Sequence, residues 1–397
     1  MSIHAHGKMT PPEGRGLRQR NAGVVVSDNE IGRRMDSSVE DGSYWISRVL
    51  AALSLSCFLA AALFPIQWQT PPSELRAGAK LVAEVQSKYQ RIVVTRFQRD
   101  TRLFLDGMLQ FSSVDEHRYH EVLVHPALLA VRKLGGNPKR VLVLGGGDGM
   151  AVREILKYAE VEEVLVIDLD AAVTRLFTRD GDDSGNGGTE VGGGTDVDLP
   201  DLNGNAFSDE RVRVVNDDAL AFVRRADAHT WDAIIMDLPD PNSEVLAGLF
   251  TLEVFRSTLR LLRPVHGVLV TQATSPFAHS SAFWCIFDTL RAAAAAGAPP
   301  TSAGTVRPLK VTVPSFGVWG FALWTPRRLE LQELALAPSV PLQFLTPQIL
   351  RVLHIFGLDE GERHKHAEGT SASINTDQHL IVHELFRTAN FELGLEY

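Results

Sequence analysis

Two carboxylates three residues apart, Asp237 and Asp240, stand in the segment Asp237-Leu-Pro-Asp-Pro241, directly after the apolar run Ala233–Met236. Holding two acids together in a proline-stiffened loop is unfavourable unless a cation lies between them, and an ammonium group meets that need. The plainer reading is an Asx-type turn that serves only the backbone. A second constellation is Leu144-Gly145-Gly-Gly147-Asp148-Gly149, set between a β-rich run and a helical one. Glycines in such a turn let the backbone approach a ligand closely, as nucleotide-binding βα turns do. Asp168 closes the next apolar run, 20 positions after Asp148, where a carboxylate can accept both hydroxyls of a ribose. Met150 stands where a dinucleotide loop would carry its third glycine. The pattern therefore suits an adenosyl sulfonium, which has no pyrophosphate to cradle, better than NAD. Asp218, in Asn216-Asp-Asp-Ala219 after a further β-rich run, fits either of two roles: it can accept from an adenine amino group, or it can cap a helix.

These residues need elements to hold them. Arg140–Leu144, Val164–Ile167, Arg211–Val215, Ala233–Met236 and Gly267–Val270 read as buried strands separated by helical stretches, one of them at 150–158. Alternation of this kind predicts an α/β fold, a Rossmann-like, doubly wound and mostly parallel sheet whose carboxyl edge collects the candidate residues. Upstream, Gln90–Arg96 and Arg102–Leu105 are β-formers, and Asp106-Gly107 before Met108-Leu-Gln110 is a hairpin signal. A small antiparallel β-sheet domain is thus expected before the main one. Residues 118–134 have helical spacing of apolar positions at 122, 123, 127, 128 and 131. The expected division is a disordered polar tail over 1–43, a membrane-anchor helix over 44–68, and an N-terminal β/linker region over 69–137. A catalytic domain over 138–330 and a C-terminal helical extension over 331–397 complete it. The Gly/Asp-rich stretch 180–198 is expected to be a flexible surface insertion.

Within the anchor segment, Val49–Ile66 is free of charged residues and flanked by Trp45 and Trp68. That pattern predicts membrane association through a single pass, the alternative being a cytoplasmic protein with a packed helix. A net charge of −9, from 39 basic and 48 acidic residues, argues against nucleic acid as a partner, which calls for clustered Lys and Arg. Cys57 and Cys285 lack metal-type spacing, and His117, His120 and His125 belong to no H-E-x-x-H pattern. No metal and no permanently bound cofactor are expected.

Several motifs agree in order and spacing with one family. Gln90 in Tyr-Gln-Arg-Ile, Leu105-Asp-Gly-Met-Leu-Gln110, Asp115-Glu-His-Arg-Tyr119-His120-Glu121, His125-Pro126, the glycine loop and Asp237-Leu-Pro-Asp-Pro241 resemble the spermidine synthases. The likeness covers roughly residues 85–325. Ala282-Phe-Trp284, Val313-Pro-Ser-Phe-Gly317 and Trp319-Gly-Phe321 look like the family's membrane-bound bacterial branch. The resemblance implies a usually dimeric enzyme that moves an aminopropyl group from decarboxylated S-adenosylmethionine, its co-substrate, to a polyamine such as putrescine. It also implies roles. Gln90, Asp168 and the glycine loop with Gly145 and Gly147 would hold the nucleoside, and Asp218 with Ala219 the adenine. Tyr119, His120, Asp148 and Asp240 would line the amine channel with Gln110 close by, and Asp237 would be the general base. The chemistry agrees, because a polyamine is protonated at neutral pH and must lose a proton before it can attack. Asp148 would also repel the carboxylate of ordinary S-adenosylmethionine.

The chain departs from the pattern as well. Asn242-Ser243 replaces Gly-Pro, Leu309-Lys310 stands where the branch carries Tyr-His, and Val318 replaces a common Glu. Two other functions share some of these features: a methyltransferase using S-adenosylmethionine, and a non-catalytic homologue that binds polyamine or nucleoside.

Overall fold

In the computed structural model, which describes residues 78–179, 190–191, 197–296, 304–336, 340–360 and 374–393, a small antiparallel sheet comes first. Lys80–Gln86 (β1), Arg91–Phe97 (β2), Asp100–Leu105 (β3) and Met108–Ser112 (β4) pair in chain order. Asp106 and Gly107 both take positive φ, 48° and 82°, as a two-residue hairpin turn of matching twist requires. Val82, Ile92, Val94, Leu103 and Phe111 form the sheet's apolar face, which packs with Met150, Phe177 and Leu199 of the next domain.

Glu116–Lys133 (α1) then leads into the α/β domain. Its remaining strands are Arg140–Gly145 (β5), Glu163–Asp168 (β6), Val212–Asn216 (β8), Ala233–Asp237 (β9), Val268–Gln272 (β10), Thr305–Val313 (β11) and Gly317–Thr325 (β12). The two-residue strand Glu190–Val191 (β7) instead joins β1 in the first sheet. The large sheet runs β11-β12-β10-β9-β5-β6-β8. The five strands from β10 to β8 are parallel, and β12 and β11 are antiparallel additions. Between them lie Met150–Ile155 (α2), Ala171–Leu176 (α3), Leu199–Leu202 (α4), Ala219–Arg225 (α5), Glu244–Ala247 (α6), Leu252–Leu261 (α7) and Ser280–Ala295 (α8). Pro347–Val352 (α9) and Ile381–Leu393 (α10) follow.

The period of two along each strand divides the core. Val141, Val143, Val166, Ile235 and Val270 face α1, while Leu142, Leu144, Leu165, Ile234 and Met236 face α7, α8 and α10. Chain order reverses between β5 and β9, and a ligand crevice opens at the carboxyl end of such a reversal.

The five predicted strands, the hairpin and the helix after it are all present. α2 ends at Ile155, three residues before the expected 158, and β11–β12 were not anticipated. The C-terminal segment joins existing cores: Leu345, Leu350 and Leu353 enter one, Val382 and Phe386 the other. Most of the predicted insertion 180–198 lies outside the described residues, as do the tail 1–43 and the anchor 44–68. One expectation is corrected. Among the described residues no helix is long and apolar enough to cross a membrane, and the single-pass membrane assignment is withdrawn.

Candidate active site

The carboxyl ends of β5 and β9 meet where Gly145 pairs with Asp237. Gly145, Gly146 and Gly149 take positive φ of 79°, 68° and 76°, a conformation that glycine adopts without steric cost. Contact also excludes larger residues. A Cβ on Gly145 would stand 2.1 Å from the Asp237 carbonyl oxygen, and one on Gly147 2.7 Å from Asp168 Oδ2. The loop is thus pressed against both acids, and Gly146 donates its N–H to the Asp237 carbonyl at 3.0 Å.

α1 supplies the opposite wall. Tyr119 donates to Asp237 Oδ1 at 2.7 Å, and His120 Nε2 stands 3.9 Å from Asp237 Oδ2. Ligand-type atoms of His120, Asp148 and Asp237 all lie within 4.8 Å of one another. Asp148 is fixed by Met150 N–H at 2.9 Å. Rings of Phe316, Trp319 and Phe321 surround Tyr119 at centroid distances of 6.5, 6.3 and 5.1 Å. Their strands are tied to α1 through Asp115, which accepts from Ser315 N–H and Oγ at 2.7 and 2.8 Å.

Burial sets the electrostatics. It raises the pKa of Asp237, although the His120 charge and the Tyr119 bond pull the other way. It pushes Asp148 and Asp168 up to about 6 each and Asp240 up to about 7. Tyr119, buried beside Asp237, is raised well above the ordinary phenol value and stays a donor. Burial alone would lower His120, but the bond and charge of Glu116, with Asp148 and Asp237, carry it to about 9. Three such ligands can in principle hold a metal. A doubly protonated imidazole has no lone pair to give a metal and repels a dication more than an ammonium, so of the two the cluster suits an ammonium, held by its carboxylates.

Two under-satisfied atoms lie beyond Asp237. Asp240 Oδ1 and the Thr274 hydroxyl are buried and make no hydrogen bond of full geometry among the described residues, although Thr274 and Gln272 are near enough to pull the Asp240 carboxyl down against burial. Thr274 takes φ 60°, an uncommon conformation for a β-branched residue. Its N–H is held by Gln272 Oε1 at 2.8 Å, and Gln272 Nε2 in turn grips the Leu238 carbonyl of the Asp237–Asp240 loop at 2.8 Å.

The nucleoside candidates lie at the carboxyl ends of β6 and β8, with Gln90 reaching in from the turn before β2. Gln90 Nε2 donates to Asp170 Oδ2 at 3.1 Å, and Asp170 N–H donates to Asp168 Oδ1 at 2.9 Å. Sequence reasoning passes over Asp170, although Asp168-Leu-Asp170 places it only two residues from a candidate acid. Asp218 caps α5 by accepting from Leu220 and Ala221 N–H at 2.7 and 3.4 Å, and Ala219 is the first residue of that helix. Gln110 makes a local bond to the Met108 carbonyl at 3.1 Å. The replacement pair parts company: Leu309 is buried in the core shared with Tyr119, whereas Lys310 pairs with Glu360 and stands over Phe356. The lysine charge is therefore neutralised outside the Asp237 cluster.

The chain is similar to known proteins in sequence and in fold. The spermine/spermidine synthase domain model matches residues 116–179 and 197–330. A polyamine aminopropyltransferase of Oceanobacillus iheyensis is 40% identical over 297 residues, covering 75% of this chain and 51% of that protein. One of Leptospira interrogans is 40% identical over 283 residues, covering 70% and 49%. A spermidine synthase solved with the transition-state analogue AdoDATO shares the fold at a TM-score of 0.59 and 21% identity, over 74% of this chain and 89% of that one. The chain belongs to the spermine/spermidine synthase family. It spans about half the length of the relatives it matches, and these matches do not support the narrower likeness to the membrane-bound branch.

Proposed function

We propose that the chain is a polyamine aminopropyltransferase, taking an aminopropyl group from decarboxylated S-adenosylmethionine to putrescine or a similar amine. The observation that carries this reading is the convergence of Tyr119, His120 and Asp148 on Asp237 at the strand-order reversal. In this reading Asp168, with Gln90 acting through Asp170, binds the ribose, and the glycine loop lies along the nucleoside. Asp218 and Ala219 sit at the adenine, and 138–330 is the catalytic domain.

The acceptor amine lies between Asp237 and Asp240, with Gln110 toward the channel mouth. The buried Asp240 Oδ1 and the Thr274 hydroxyl, without a hydrogen bond of full geometry among the described residues, are suited to receive an N–H of the substrate. The lone pair of the attacking nitrogen forms the new C–N bond to the propyl carbon beside sulfur. The C–S bond breaks with its electron pair going to sulfur, so methylthioadenosine leaves as a neutral thioether. Asp237, oriented through Oδ1 by Tyr119, takes the proton the nitrogen sheds. With putrescine the other product is spermidine. The enzyme is proposed to act as a homodimer, as the family likeness implies.

The test is to incubate purified protein with decarboxylated or ordinary S-adenosylmethionine and a panel of di- and polyamines, following methylthioadenosine and the lengthened amine. Release of both from the decarboxylated form is the expected result. A methylated amine with S-adenosylhomocysteine would replace this reading by methyl transfer, and binding without turnover would replace it by a non-catalytic homologue.

A further inference from the structure

Behind the catalytic cluster, charged side chains alternate in sign through the protein. Asp237 is followed by His120, Glu116, Arg153, Glu154 and Lys157, each in contact with the next. His120 Nδ1 lies 2.9 Å from the Glu116 carbonyl and 2.8 Å from Glu116 Oε2. Arg153 donates to that same Oε2 at 2.9 Å and to Glu154 Oε1 at 3.0 Å. Arg153 is further anchored on the Leu202 carbonyl at 2.8 Å. Glu154 accepts from His125 at 2.9 Å and from Lys157 at 2.6 Å. Neither Glu116 nor Arg153 carries a role in the family likeness drawn above.

The geometry settles one proton on His120. Both neighbours of Nδ1 are acceptors, so Nδ1 must carry a hydrogen. Nε2 then points toward Asp237, with Asp148 beside it. A bare lone pair there would face two carboxylates, whereas an N–H would be attracted to both. We infer that Glu116 and Arg153 are positioning residues that keep His120 a doubly protonated, fixed cation beside the attacking amine. This rests on the proposed reading of the Asp237 cluster as the amine site.

The groups facing the imidazole are Glu116 from its own helix, Tyr119 at its edge, Asp148 from the glycine loop and Asp237 from β9, with Arg153 behind Glu116. Their balance agrees with a histidine carried to about 9 in spite of burial. A fixed cation in a site for cations has a chemical use. It disfavours the ammonium form of the nearest nitrogen, the one that must present a lone pair. A more distant nitrogen of the same polyamine, nearer Asp240, stays charged and anchors the chain. The cation also helps to keep Asp237 ionised and able to take the proton.

The test is an NMR titration of the imidazole of His120, assigned with a His120→Asn variant, in the full chain and in Glu116→Gln. In the unmodified chain His120 should remain doubly protonated past pH 8. In Glu116→Gln its midpoint should fall by about 2 pH units. Turnover of that variant should drop roughly tenfold near pH 7.5 and recover as pH rises and the amine loses its proton unaided, with methylthioadenosine affinity unchanged. Arg153→Gln should produce a smaller shift in the same direction, and Arg153→Lys should largely restore it. A midpoint near 6.5 in the unmodified chain would overturn the inference even if no variant folds. So would a Glu116→Gln midpoint equal to that of the unmodified chain. The titration needs no turnover, so a protein that transfers nothing would sink the proposed function while the protonation state of His120 could still be read.

Discussion

Glu121 and Asp237 are both carboxylates shielded from water, and the same turn of α1 shapes both surroundings to opposite effect. Glu121 is wholly buried and accepts from three backbone N–H groups, those of Gln343, Phe344 and Leu345, at 2.6, 3.0 and 2.7 Å. Glu154 resembles it. Burial alone would raise that acid, but His125, Arg153 and Lys157 overcome the penalty and hold it down at about 2. Asp237, Asp148 and Asp240 are compensated only in part, by Tyr119 and His120, by His120 and Met150 N–H, and by Thr274 and Gln272 respectively, so burial wins and all three are raised. Acids that the chain itself satisfies hold the fold. Acids that it satisfies only in part are, in the proposed reading, the ones that receive a cation from outside, and the free protein carries the cost of keeping them.

The contrast breaks most visibly at Glu121. Replacing it with Ala would take the acceptor from three backbone donors, one buried and two part-buried, each worth up to about 1 to 3 kcal/mol. A destabilisation on the order of 4 kcal/mol is expected in chemical denaturation, with little specific effect on whatever activity the folded fraction retains. A loss below about 1 kcal/mol would mean that water replaces the carboxylate and that Glu121 is no keystone. Asp237→Asn should behave in the opposite way. Turnover should fall by about 10² or more, the usual worth of a general base, while the fold stays as stable as before or gains. Near-normal turnover would remove Asp237 from the chemistry.

Legibility in the sequence followed the same divide. Groups local in sequence could be read directly: the glycine loop, the Asp237–Asp240 loop, the Asp106-Gly107 turn and the strand runs of the parallel sheet. Partnerships across long separations could not. Nothing in the spacing says that Asp170 links Gln90 to Asp168, that Arg153 reaches Glu116, or that Glu360 removes the charge of Lys310 from the site. β11 and β12 escaped because their alternation is interrupted by Pro308, Lys310 and Gly320, and the edge position of β11 is what makes Pro308 and Lys310 tolerable there. Asp218 was legible only as a choice between two roles. The structure gives it a helix to cap, which leaves its part at the adenine a proposal.

Asp148 sharpens the comparison at intermediate size. If its charge faces the position of the extra carboxylate of S-adenosylmethionine, the unmodified protein should prefer the decarboxylated nucleoside by about tenfold or more. Asp148→Asn should narrow that preference toward equality, as measured by calorimetric titration of both nucleosides. Equal affinities in the unmodified protein would argue for methyl transfer.

The smallest effect is expected at Asp240, and its sign separates a waiting acid from a structural one. Burial carries this carboxyl to about 7 in the folded chain, against 3.8 ordinarily. Between these values the folded protein holds a proton that the unfolded chain has lost, so stability must fall as pH rises through the interval. The gap of about 3 sets an upper bound near 4 kcal/mol at pH 8, and water entry and rearrangement should leave about 1 kcal/mol. Asn has nearly the same shape and cannot ionise, and its amide can donate from the position where Asp240 Oδ1 makes no hydrogen bond of full geometry among the described residues. Asp240→Asn should therefore unfold at a higher temperature than the unmodified protein at pH 8. The advantage should shrink by pH 6.5 and vanish near pH 4, while amine binding weakens throughout. Thermal unfolding at these pH values without substrate is the measurement. A variant less stable than the unmodified protein at pH 8 would show that Thr274 and Gln272 already satisfy Asp240 in the free protein, and the contrast with Glu121 would fail at that residue.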